Sequence, residues 1–203
     1  MFDRSILEAP ATEVAPLLLG AVLSKTTPEG TVAVRLTEVE AYLGEVDPGS
    51  HAFRGQTARN GVMFREPGTL YTYFTYGMHV CANVVCSPGG MASAVLLRAG
   101  EVVDGIELAR HRRRTSKIDA DLARGPARLV VAVGIELSDG GADLGEPPFE
   151  LTLPASAQPF EAGPRTGVSG AGGSADFPWR FWIPGERTVS PYKASVPKKR
   201  TSR

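Results

Sequence analysis

The apolar positions of the first two dozen residues recur at helical spacing. Val14, Leu17, Leu18, Ala21 and Val22 follow a capping segment at Ser5-Ile6-Leu7-Glu8, so residues 5–24 read as a helical region. Pro16 fits there only near the start of a second helix or at a kink, because its ring carries no N–H. The period then changes. Thr31 to Glu40 alternates as a strand does, after a turn at Thr26-Thr-Pro-Glu-Gly30. Residues 43–68 hold Gly44, Pro48, Gly49, Gly55, Gly61, Pro67 and Gly68 and read as loop. Leu70 to Val85 is rich in aromatic and β-branched residues, with Tyr76-Gly77-Met78-His79 as the turn of a hairpin. Ala94–Ala99, Phe149–Leu153 and Arg180–Ile183 read as further strands, and Gly105–Arg114 and Gly125–Val133 as helices. The glycine-rich run between Arg165 and Pro178 reads as loose chain. One domain over residues 1–195 is expected, followed by a basic, disordered tail at 196–203.

Composition narrows the class. The 203 residues include 42% hydrophobic and 22% charged positions, 23 glycines and 16 prolines, which suits a globular chain of many strands and loops. No run of about 18 apolar residues is present, and the N-terminus lacks a basic region followed by an apolar stretch. Cys81 and Cys86 lie in an apolar segment and fit reduced, packed thiols. The expectation is a protein that is neither secreted nor membrane-bound, at home in the cytoplasm (the bacterial nucleoid) or in a nucleus.

Lysine plus arginine equals aspartate plus glutamate at 22 each, which argues against a simple polycation that binds nucleic acid by charge alone. The zero is built from opposed blocks. Residues 110–128 carry seven basic and two acidic groups, and residues 164–203 eight and two. Residues 129–163 carry six acidic groups and no basic one. Local basic surfaces are therefore expected on a neutral chain.

Candidate chemistry is densest between Glu38 and Arg98. Glu38 and Glu40 sit two apart on one strand and share a face. That face is either an ordinary solvated one or aims one carboxylate into a cleft. Glu40 is favoured, because it stands last before the glycine-rich loop. A metal hydrolase built on Glu38, Glu40 and His51 can be drawn, but no HxH or HxxxH spacing supports it, and no metal or other cofactor is expected. Four of the five tyrosines, Tyr42, Tyr71, Tyr73 and Tyr76, fall in this region. Tyrosine in place of phenylalanine implies hydroxyls near polar partners. Such rings suit a flat aromatic ligand, with or without chemistry on it.

The ordered set of segments carries a resemblance. Thr37-Glu-Val-Glu-Ala-Tyr-Leu-Gly44 is followed by His51, Thr57-Ala-Arg-Asn60, Met63-Phe64, Pro67-Gly-Thr-Leu-Tyr71-Thr-Tyr73 and Tyr76-Gly-Met-His-Val-Cys-Ala-Asn83. Then come Val95-Leu-Leu-Arg98-Ala, Arg124-Gly-Pro-Ala-Arg-Leu129, Gly163-Pro-Arg-Thr-Gly-Val168 and Trp179-Arg-Phe-Trp182. Together they resemble the alkyladenine (3-methyladenine, methylpurine) DNA glycosylase family over nearly the whole chain. The resemblance implies an α+β fold: a single compact domain with a curved antiparallel β-sheet, surrounding helices and a protruding DNA-inserting β-hairpin. It implies a monofunctional enzyme of base excision repair that acts as a monomer on double-stranded DNA containing damaged purines. The substrates would be of the 3-methyladenine, 7-methylguanine, hypoxanthine or ethenoadenine class, with a water activated by Glu40 cutting the N-glycosidic bond.

The residue roles follow from the same resemblance. Glu40 and Arg98 are the catalytic pair, and the backbone at Thr166 helps hold the water. Tyr42, His51, Tyr73 and Asn83 form the base pocket, in which Asn83 crowds the exocyclic amine of guanine. Tyr76 intercalates at the hairpin tip with Met63 beside it, and Thr57, Arg59 and Arg128 meet the DNA backbone. Alkylated purines carry positive charge, which a tyrosine-lined pocket attracts through its ring faces.

Overall fold

A computed structural model describes residues 4–75 and 77–195. Tyr76 and the tail at 196–203 lie outside the described residues.

The frame is the 13-residue strand β2 (Gly30–Tyr42). One of its edges pairs along its length with β5 (Ala94–Asp104). The other pairs first with β1 (Val22–Thr27), across the turn at Pro28-Glu29, and then, from Glu38 to Glu40, with β8 (Arg180–Trp182). β6 (Phe149–Thr152) lies outside β1, and β7 (Glu161–Gly163) outside β8. Beyond β5 the sheet continues through β4 (His79–Val85) to β3 (Leu70–Thr75), and every pairing is antiparallel. Among the described residues three helices, α1 (Ala11–Leu17), α2 (Ile106–Arg112) and α3 (Pro126–Val133), pack on the central strands. The result is a single α+β domain with an open antiparallel sheet of eight strands.

The helical reading of residues 5–24 is corrected. Arg4–Glu8 is a short 3-10 turn, α1 ends at Leu17, and Val22 opens β1. Leu18, Leu19 and Ala21 are buried, as helical spacing requires, but the backbone turns beneath them. Gly20 adopts φ +81°, and its N–H donates to the Leu36 carbonyl of β2 at 2.8 Å. A glycine is suited to that left-handed turn. Pro16 falls in the last turn of α1. β7 was not legible as a strand; it has three residues and a single partner.

Two irregularities decide which way the central side chains face. Leu36 pairs with Gly100 and Glu38 with Ala99, so Thr37 is an extra residue in β2. Glu38 pairs with Ala99 and Val39 with Leu97, so Arg98 is an extra residue in β5. Each bulge reverses the alternation of its strand. Val32, Val34 and Leu36 enter the main core before the first bulge, and Val39 and Ala41 after it. Glu38 and Glu40 are thereby turned to the opposite face. Val95 and Leu97 likewise face the core while Leu96 and Arg98 line a cleft. Burial of each large aliphatic side chain in that core contributes about 1.5–3 kcal/mol. A smaller cluster of Ala52, Met63, Tyr71, Val85 and Ala94 supports the cleft from below.

Candidate active site

Strand register sets a row of side chains across the sheet. Tyr71 of β3 pairs with Asn83 of β4, Asn83 with Leu96 of β5, and Leu96 with Glu40 of β2. All four line one cleft of about 310 Å³. Tyr42, Tyr73, Cys81 and Arg98 join them from neighbouring positions of the same face. The loops add His51, Met63, Thr166, Gly167 and the first residue of α3, Pro126.

Glu40 is completely buried on the protein side of this cleft. Its Oε1 accepts the Thr166 backbone N–H at 2.7 Å and lies 3.2 Å from Arg98 Nη1. Its Oε2 accepts the Tyr42 hydroxyl at 2.9 Å. Burial, and then the Glu40 carboxylate beside it, push the Tyr42 hydroxyl well above the ordinary tyrosine range, so it remains a proton donor.

Glu38 has a different environment. Arg98 Nε and Arg180 Nε donate to its Oε1 at 2.7 and 2.6 Å, and the Ser190 N–H donates to Oε2 at 2.7 Å. Burial alone would raise its carboxyl, but the two guanidiniums win and hold it below the usual carboxylate value. Glu38 is absent from the cleft lining that holds Glu40 and His51, so the three do not form one metal set. Among the described residues no group of three or more His, Cys, Asp or Glu side chains is arranged to hold a metal ion.

The aromatic wall is a set of three rings. His51 stands edge-on to Tyr73 with centroids 4.5 Å apart, and its Nδ1 is 3.2 Å from the Tyr71 hydroxyl. The rings of Tyr71 and Tyr73 lie 5.6 Å apart. Burial pushes the Tyr71 hydroxyl up to about 12 and Tyr73 further. Loss of hydration, and then the Arg59 cation, lower the His51 imidazole, which favours its neutral form. Asn83 donates from Nδ2 to the Tyr71 carbonyl at 3.1 Å, which fixes its amide against the cleft. Asn60, the last residue of the Thr57-Ala-Arg-Asn60 segment, organises this loop. Its Nδ2 donates to the His51 and Gly55 carbonyls, and its Oδ1 accepts the Thr57 N–H at 2.6 Å.

Arg165, whose role no sequence pattern marks, is the largest fully buried side chain among the described residues. Its Nη1 and Nη2 meet the two oxygens of Asp47 at 2.6 Å each, and it also donates to the Ala41 and Gly172 carbonyls. Its guanidinium carbon sits 4.5 Å from the centre of the Tyr42 ring, and it is absent from the cleft lining. Arg165 thus backs the Tyr42 ring, and the residue after it donates its N–H to Glu40. Within the glycine-rich run at 166–177, Gly172 and Gly173 are closely packed, whereas Gly167 and Gly170 face open space. A side chain at Gly172 would strike the backbone of Gly49.

Other expected contact residues sit further out. Met63, at 2% exposure, is buried in the wall of the cleft. Among the described residues of the hairpin, the exposed large apolar side chains are Phe74 and Met78, at 48% and 68%. Tyr76 itself lies outside the described residues. Thr57 is exposed, and Arg59 is exposed and donates to the Phe74 carbonyl at 3.1 Å. Arg128 pairs with Asp121 at 3.0 Å. The basic block at 110–128 is thus partly neutralised within itself. Arg110 pairs with Asp119, and Arg112 is spent on the Val133 carbonyl and Glu29.

Comparison with known proteins shows the family of the chain. Residues 5–187 match the family model described as Methylpurine-DNA glycosylase (MPG). A Leifsonia xyli subsp. xyli protein is 64% identical over 195 residues, 94% of this chain and 92% of its own length. Proteins of Streptomyces avermitilis and Nocardia farcinica are 54% and 50% identical over 202 residues, which cover 97% and 95% of this chain and 94% and 91% of their own lengths. All three bear the name "Putative 3-methyladenine DNA glycosylase". The chain is thus a DNA N-glycosylase, a hydrolase of base excision repair that acts on DNA. Within that class it belongs to the methylpurine-DNA glycosylase family. No helix among the described residues is long and apolar enough to cross a membrane.

Proposed function

We propose that the cleft receives a damaged purine nucleotide turned out of duplex DNA, and that a water activated by Glu40 cuts its N-glycosidic bond. A base inside the stack is beyond the reach of any side chain, so extrusion comes first. Tyr76 at the hairpin tip fills the gap left in the stack. Thr57, Arg59 and Arg128 steady the backbone, and the protein works as a monomer. Tyr42 and Tyr73 flank the base, His51 meets its edge, and Asn83 crowds an exocyclic amine of the guanine type. The substrates are 3-methyladenine, 7-methylguanine, hypoxanthine and ethenoadenine.

The observation that carries this reading is the set of donors around Glu40. A carboxylate offers about four acceptor sites. The Thr166 N–H and the Tyr42 hydroxyl take one on each oxygen, and the Arg98 cation stands 3.2 Å from Oε1. The open site on Oε2 accepts a hydrogen of the attacking water. The water oxygen bonds to C1′, the base leaves with the electron pair of the C1′–N bond, and the proton passes to Glu40. As the bond breaks, the sugar gains positive charge, which the fixed carboxylate stabilises. A cationic alkylated purine leaves as a neutral base, whereas hypoxanthine and ethenoadenine must gain a proton on departure. Among the described residues the cleft lining holds no lysine, so the product is an abasic site in an unbroken strand.

The test is excess protein on duplexes carrying one hypoxanthine, ethenoadenine or methylated purine, followed by alkali. Breaks at the lesion that depend on both protein and alkali are expected. Binding without alkali-labile sites on every duplex would leave a stacking module and refute the enzyme reading.

A further inference from the structure

Behind the cleft lies a charge cluster that the proposed reaction does not itself consume. Glu38, Arg98, Arg180 and Ser190 are all buried, at 0–7% exposure. Arg98, the extra residue of the β5 bulge, has its guanidinium divided three ways. Nε donates to Glu38 Oε1 at 2.7 Å, Nη2 donates to Ser190 Oγ at 3.1 Å, and Nη1 lies 3.2 Å from Glu40. Two edges are pinned from behind and one faces the cleft. Ser190 is the common node. Its hydroxyl and its N–H donate to the two oxygens of Glu38 at 3.0 and 2.7 Å, and its carbonyl accepts Arg180 Nη2 at 2.9 Å.

We propose that Glu38 and Ser190 are positioning residues for base excision, holding the Arg98 guanidinium so that only Nη1 is presented to Glu40 and the water. The proposal rests on the Glu40–Arg98 chemistry put forward above. Its physical reason is competition for one cation. A guanidinium free to turn pairs with a carboxylate through two parallel N–H bonds, the stronger geometry. On Glu40 that pairing would take the Oε2 position required by the water. Glu38 draws the same cation backward, and the Ser190 hydroxyl, bonded to both, fixes its plane. The donor is then set before the reaction begins, which is where such preorganisation is most effective.

Single-turnover excision by Ser190→Ala, Arg98→Ala and the double variant tests this. Ser190→Ala retains the backbone N–H to Glu38, so it is the mildest way to release the plane. It should slow the chemical step about tenfold, with the affinity for lesion duplex unchanged. In the Arg98→Ala background the same change should cost nothing further, because the two act as one unit. Glu38→Gln should slow the step about 100-fold, again without a change in affinity. A Ser190→Ala rate equal to wild type overturns the proposal. So does an equal loss with and without Arg98, which marks a structural role alone. If Arg98→Ala itself excises at the wild-type rate, the Arg98 chemistry is what fails.

Discussion

Glu40→Gln should abolish measurable base release while lesion-duplex binding persists within a few-fold. The substitution keeps the size of the side chain and its capacity to accept the Thr166 N–H, but it removes the charge and the proton acceptor. A positioned general base contributes about 10²–10⁴-fold to rate. Loss of the fixed negative charge beside a developing sugar cation adds to that. Single-turnover rates and equilibrium binding, measured on the same duplex, separate the two effects. A Glu40→Gln rate within about tenfold of wild type would fall below the range a general base supplies and would move the catalytic assignment elsewhere.

Asp47→Ala should produce a large loss of stability. Asp47 and Arg165 are fully buried and meet through two 2.6 Å contacts. Removal of one partner strands a buried cation, at a cost of about 3–5 kcal/mol. For a chain of this length that corresponds to a fall in Tm of about 6–20 °C. Asp47 also accepts the Leu43 and Gly49 N–H groups, so its loop loses its anchor as well. Excision should fall too, because the residue after Arg165 donates its N–H to Glu40. Thermal unfolding followed by circular dichroism checks this; a Tm within about 2 °C of wild type would show that the pair contributes little net stability.

The strands that carry the cleft were legible because each alternates. Tyr71 and Tyr73, Cys81 and Asn83, and Glu40 and Tyr42 keep a period of two, and all face one side. The hairpin at 70–85 and the helices after Gly105 and Gly125 were likewise marked by turn residues. What alternation could not supply was the pair of bulges. In an unbroken β2, Glu38 and Glu40 would share the face of Val34 and Leu36, which is the core. Only the extra residue Thr37 reverses them, and no local residue type announces it. The role of Arg165 was hidden for a related reason. Its partner Asp47 is 118 residues away, and a buried ion pair leaves no local pattern. The glycines around it looked like loose chain, whereas close packing against Gly49 requires the lack of a side chain at Gly172. Apolar spacing predicts too long a first helix because it records burial, and burial continues through the turn at Gly20.

The most direct measurement of the central claim follows both products of one turnover. A duplex with a single hypoxanthine, ethenoadenine or methylated purine is incubated with excess protein, with and without borohydride. The lesion strand and the free base are then read by mass spectrometry. The expected result is one free modified purine per strand, a strand whose mass shows the base replaced by hydroxyl, no break before alkali and no protein–DNA adduct. Strands that retain every lesion, or a borohydride-trapped adduct with strand cleavage, would contradict hydrolysis by a Glu40-activated water.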